Sequence, residues 1–160
     1  MRQGLLLLFL FGASNAASNL RTGTHCFDAC DLTLNYVDFN DTDRSLSKKV
    51  RTCGSVFHAS SLYLCADVYC EENGREEWLA GANKTCEETV GERLPSWSVI
   101  EEYTEEDVAG LRRLRAEEGL WDSEKVVLGE VVIPDQDFFG RAFRTIDYAW
   151  FEMDIHWTYG

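Results

Sequence analysis

Six cysteines, Cys26, Cys30, Cys53, Cys65, Cys70 and Cys86, all fall between residues 26 and 86 of a 160-residue chain. No other feature restricts the fold as strongly. The opening "MRQGLLLLFLFGASNA" combines a charged start at Arg2, an apolar run from Leu5 to Phe11, and small residues at Ser14 and Ala16. That is the pattern of a secretory signal peptide over 1–16 with cleavage after Ala16. Its apolar run is far shorter than the ~20 residues a spanning helix needs. In an oxidising compartment an even cysteine count reads as three disulfides. The spacings C-x3-C and C-x4-C do not match the close pairs of zinc sites, so no metal site is expected.

Helical periodicity limits how these cysteines pair. "THCFDACDLTLNYV" (Thr24 to Val37) carries Cys26, Cys30 and Leu34 on one face, with Thr24 as a candidate cap. "FHASSLYLCADVYC" places Leu62, Cys65, Ala66 and Tyr69 in a buried stripe. Side chains four apart on a helix have β-carbons about 5–6 Å apart, whereas a disulfide needs about 3.5–4.5 Å. Cys26 is therefore not expected to pair with Cys30, nor Cys65 with Cys70. Ten of the fifteen possible connectivities remain open, and each ties a helix to a separate segment. The expected fold is mainly α: a disulfide-stapled helical cluster, an extended segment, and an aromatic helix close to a membrane.

The rest of the chain divides accordingly. After the signal, a cysteine-rich helical head is expected over 17–122. Within it "NGREEWLAGANKTC" reads as a turn and short helix, and "RLPSW" as a breaker. Thr104 is a candidate cap followed by Glu105, Glu106 and Asp107, with Val108, Leu111 and Leu114 as the apolar side of one helix. "KVVLGEVVIP" is β-branched and closed by proline, an extended connector over 123–134. A final helix over 135–160 carries Phe138, Phe139, Phe143, Tyr148, Trp150, Phe151, Trp157 and Tyr159. Trp and Tyr concentrate where protein meets the bilayer surface, so this segment is expected to lie beside a membrane.

Net charge is −13, with no basic patch to displace counterions from phosphates, which excludes nucleic acid as a partner. Sequons at Asn40 ("NDT") and Asn83 ("NKT") are candidate glycosylation sites. No catalytic residue is assigned. The chain has no G-x-S-x-G elbow, H-E-x-x-H pair or glycine-rich phosphate loop. Of its three histidines, His25 adjoins a bridging cysteine, His58 sits at a helix start, and His156 lies four residues after Glu152. Two such ligands make only a weak metal site.

"ASSLYLCADVYC", "YTEEDV" and "VVIPDQDFFGRAFRTIDYAWFEMDIHWTYG" resemble the amino-terminal region of fungal ferric-chelate reductase transmembrane proteins. The ending, from Arg144-Thr145 to Tyr159-Gly160, carries most of that resemblance. It implies an exported head ahead of a first membrane helix, at the outer face of the plasma membrane, with metal chelates as partners of the full-length protein. In that family paired histidines hold two haems, a cytoplasmic portion binds FAD and NADPH, and electrons cross the membrane to ferric or cupric chelates. The haem-bearing helices, flavin site and nicotinamide site are not in these 160 residues, so no cofactor ligand transfers to any residue here. The expectation is a fragment that ends where the first membrane helix would begin and is inactive alone. A free-standing secreted, disulfide-rich binding or effector protein is the alternative.

Overall fold

The computed structural model describes residues 15–120 and 126–159, the side chains of 15–22, 119–120 and 151–159 excepted. Most of the expected signal over 1–16 thus lies outside the described residues, as do 123–125 of the expected connector. The chain is mainly helical, with seven α-helices among the described residues.

The centre is α3 (Val56–Tyr69), started by the Ser55 hydroxyl, which accepts from the His58 N–H. Residues from His58 to Ala66 are buried without a break, so the middle of α3 is enclosed on all sides rather than along the single stripe expected. Against it packs α1 (Asn15–Leu34), and the two are tied by Cys26–Cys70 and Cys30–Cys65. The third disulfide, Cys53–Cys86, joins α2 (Lys48–Gly54) to α4 (Arg75–Val90). Neither helical pair excluded on geometric grounds forms, and each bond connects distinct elements.

Two expectations about local structure are corrected. Thr24 lies inside α1, not at its cap, because the helix begins earlier at Asn15. Thr104 does cap α5 (Glu105–Gly110), in a reciprocal capping box with Asp107, but that helix ends at Gly110. Leu111 is its C-cap and Leu114 is a fully buried residue of β2 (Arg112–Leu114). Val108, Leu111 and Leu114 therefore do not share a helical face. Gly110 ends the periodicity where a purely apolar count would have continued it.

The extended stretch is integrated into the body through two short parallel pairs. β1 (Val37–Phe39) pairs with β3 (Val126–Leu128), and β2 with β4 (Val132–Pro134). Val132, Ile133 and Pro134 are buried, and the buried Ser61 hydroxyl accepts from the Val132 N–H at 3.0 Å. The Tyr69 hydroxyl donates to the Pro134 carbonyl at 2.9 Å, and the Asp135 N–H donates to the Leu114 carbonyl. These bonds satisfy backbone groups that a three-residue strand leaves exposed to an apolar core.

Asp135 also accepts from the Phe138 N–H at 2.8 Å, starting α7 (Gln136–Tyr159). α7 runs antiparallel to α1: Phe138 meets Tyr36 near the end of α1, and Trp150 meets His25 well before it. At 1.5 Å per residue its 24 residues span about 36 Å. Among the described residues no helix is long and apolar enough to cross a membrane.

Candidate functional site

Two surfaces merit attention: a groove walled by α1, α2 and α4, and the outer part of the α1–α7 seam.

The groove encloses about 710 Å³, within the roughly 300–1,000 Å³ range of small-molecule sites. Asp28 and Asp31 lie one turn apart on α1 and both face it. α4 contributes Trp78, and α2 contributes Lys48 and Lys49. Leu62, Ala82 and Leu94 form apolar lining beside the Cys53–Cys86 disulfide.

Trp78 fixes the acidic wall. Its ring stacks on Phe27 at 5.5 Å, and its indole N–H donates to Asp28 Oδ1 at 2.9 Å. Burial raises the Asp28 carboxyl above its ordinary range, while the indole bond and His25 oppose that shift. Burial also raises Asp31; Lys48 pulls it back and the Asp28 charge pushes it further up. Lys48 directs its Nζ to the Asn35 carbonyl at 2.8 Å, at the last turn of α1.

Gly81 explains the groove's depth. It sits mid-helix in α4, faces the groove, and a β-carbon there would meet nothing within 4 Å. Glycine inside a helix costs about 0.5–1 kcal/mol relative to alanine, so here backbone stability is exchanged for open volume.

His58 lies behind this wall, its Nε2 3.6 Å from Asp31 Oδ1 and its ring edge-on to Phe39. Burial pushes its pKa down to about 4, with Lys48 adding to that shift and Asp41 opposing it. His58 is thus a neutral core imidazole whose Nδ1 has no hydrogen-bond partner among the described residues. His25 is buried in the α1–α7 seam, stacked on Trp150 at 5.2 Å with Nδ1 3.7 Å from Asp147. One ring is shut inside the core and the other is covered by an indole. Among the described residues no three His, Cys, Asp or Glu side chains converge as metal ligands. Glu152 and His156 lie in α7 beyond the described side chains.

Along α7 the aromatic residues divide. Phe138 is buried, Phe139 stacks on Tyr69 at 4.4 Å, and Phe143 packs against Phe139. Further along, Tyr148 and Trp150 are 64% and 45% exposed. Phe151, Trp157 and Tyr159 lie beyond the described side chains.

All six candidate cysteines are bridged. Three disulfides fit an oxidising, secretory or extracellular setting. Asn40 is exposed just after β1, while Asn83 is half-buried and its Oδ1 accepts from the Leu94 N–H at 3.1 Å. The groove was not anticipated from sequence. Its one local signal was Gly81 inside "REEWLAGANKTC", a helix-weakening residue with no turn to serve.

No family model, curated protein or solved structure matches the chain.

Proposed function

We propose that this chain is the exported, disulfide-locked head of a ferric- or cupric-chelate reductase-like membrane protein, held at the outer face of the plasma membrane. The sequence resemblance supports this reading, and the three disulfides agree with export. The observation that carries it is the division of aromatics along α7. Phe138, Phe139 and Phe143 anchor one half to the body, whereas farther along the same helix Tyr148 is largely exposed and Trp150, stacked on His25, keeps part of its ring in solvent. Amphipathic rings of that kind are favoured at the lipid headgroup level.

In this reading α7 is a rigid shoulder set against the head by α1, and it positions whatever follows. Haem, FAD and NADPH belong to other parts of such a protein, and the head itself has no redox chemistry. Metal chelates would meet a body of net charge −13, which raises the local concentration of cationic species in a salt-sensitive way. A free-standing secreted binding module is favoured by one separate observation, the 710 Å³ groove.

The transcript beyond the Gly160 codon separates the two. The head reading requires an apolar run of about 20 residues soon after it, then helices bearing paired histidines. A stop codon at that point in every transcript overturns it. The purified chain is expected to show neither a Soret band nor flavin absorbance, and stoichiometric haem would refute the assignment of redox chemistry to other segments.

A further inference from the structure

We propose that the groove between α1, α2 and α4 binds a compact organic cation, an ammonium or guanidinium group carried on an apolar body. The inference is independent of whether the chain is a membrane-protein head or a free-standing module.

Shape and charge both point to this class of ligand. The groove is large enough for a drug-sized molecule and its lining is two-sided. Trp78, Leu62, Ala82 and Leu94 offer apolar contact, while Asp28 and Asp31 bring two carboxylates to the same wall. The indole N–H of Trp78 holds Asp28 in place. A cationic group seated there would add opposite charge at Asp28, since Lys48 acts on Asp31, and hydrogen bonds to ionised groups are the strong ones. A ring or alkyl body would lie along the indole and Leu94.

The two lysines do not reverse this preference. Lys48 donates to the Asn35 carbonyl and its charge acts on Asp31 rather than on Asp28, and Lys49 is exposed. An anionic ligand would have to approach Asp28 and Asp31 on a chain of net charge −13. Gly81 supplies the second geometric argument, since its missing side chain leaves open the space a ligand body would fill.

The test is an NMR titration of the full chain, disulfides intact, with three probes sharing one skeleton: 4-phenylbutylamine, 4-phenylbutanol and 4-phenylbutyrate. The Trp78 indole N–H resonance reports directly on the Asp28 contact. The amine is expected to shift it saturably, with a dissociation constant at least tenfold below those of the alcohol and the acid. Gly81→Leu, whose β-carbon meets nothing within 4 Å and whose side chain enters the groove, should abolish the shift while preserving the folded spectrum. Asp28→Asn should bring the amine down to the level of the alcohol, and Lys49→Ala should not weaken it. The proposal is overturned if the amine fails to saturate in the millimolar range, if the acid binds as well as the amine, or if folded Gly81→Leu binds normally.

Discussion

Gly23 and Asn73 approach so closely that a β-carbon built on Gly23 would stand 2.3 Å from the Asn73 carbonyl oxygen. α1 therefore crosses the turn before α4 in direct backbone contact. The obstacle is main chain, which cannot swing aside as a side-chain tip does. Gly23→Ala is expected to cost about 1–3 kcal/mol through forced displacement of the turn. Gly81→Ala, the same chemical change in open space, should instead stabilise by about 0.5–1 kcal/mol. Urea unfolding of the two variants would read the contrast as midpoints moving in opposite directions. Equal midpoints would contradict the packing described for Gly23.

The disulfides offer a second comparison. Cys30–Cys65 and Cys53–Cys86 span 35 and 33 residues, so loop closure assigns them the same entropic weight, about 4 kcal/mol each in the chain-entropy account. Their surroundings differ. Cys30 and Cys65 are fully enclosed in the main core, whereas Cys53 and Cys86 share a small cluster with Leu94. Replacing both partners with alanine should therefore cost more at the first bridge, by roughly 1–3 kcal/mol of lost packing. Chemical denaturation of the two double variants tests it, and an equal loss would show that cross-linking alone matters.

His58 makes stability depend on pH in a definite direction. Its pKa falls from 6.5 in the unfolded chain to about 4 in the fold. Between those values the unfolded state binds the extra proton, so stability declines as pH drops through this window. The full shift corresponds to a loss on the order of 3 kcal/mol. Asp28 and Asp31 act in the opposite sense: their raised pKa values mean that the folded state gains stability as pH falls through them. A His58→Leu variant should lose the acid-side decline and keep only the carboxylate trend. An unchanged slope between pH 6.5 and 4 would show that the imidazole is not buried neutral.

How much of this was written in the sequence depends on range. The α3 helix, the turn at Asn73–Gly74, the Thr104 cap and the start of α7 were legible, because each is set by residues within one or two turns. Local geometry also excluded Cys26–Cys30 and Cys65–Cys70, but nothing local could select Cys70 and Cys65 as their partners. The parallel pairs were not legible either, since Val37 meets Val126 only after the helices have packed. The groove was hidden for the same reason. Asp28, Lys48 and Trp78 sit in unremarkable polar or amphipathic stretches, and their helices are brought together by long-range contacts such as the Cys53–Cys86 staple, the stacking of Trp78 on Phe27 and the Trp78–Asp28 bond.

The two sequons illustrate how the fold separates residues that the sequence treats alike. Asn40 is exposed in the turn after β1, where an attached glycan would meet solvent. Asn83 is engaged within the body, its side-chain oxygen holding the Leu94 N–H within the "RLP" segment. Removing that acceptor by Asn83→Ala strands a recessed backbone donor and should cost about 1–3 kcal/mol. Thr85→Ala destroys the same sequon but keeps the bond, so it should leave stability nearly unchanged. For protein produced in a glycosylating host, intact mass is expected to fall by one glycan in Asn40→Gln, with the unfolding midpoint unaltered. If Thr85→Ala destabilised as much as Asn83→Ala, the glycan rather than the hydrogen bond to Leu94 would be what holds that segment.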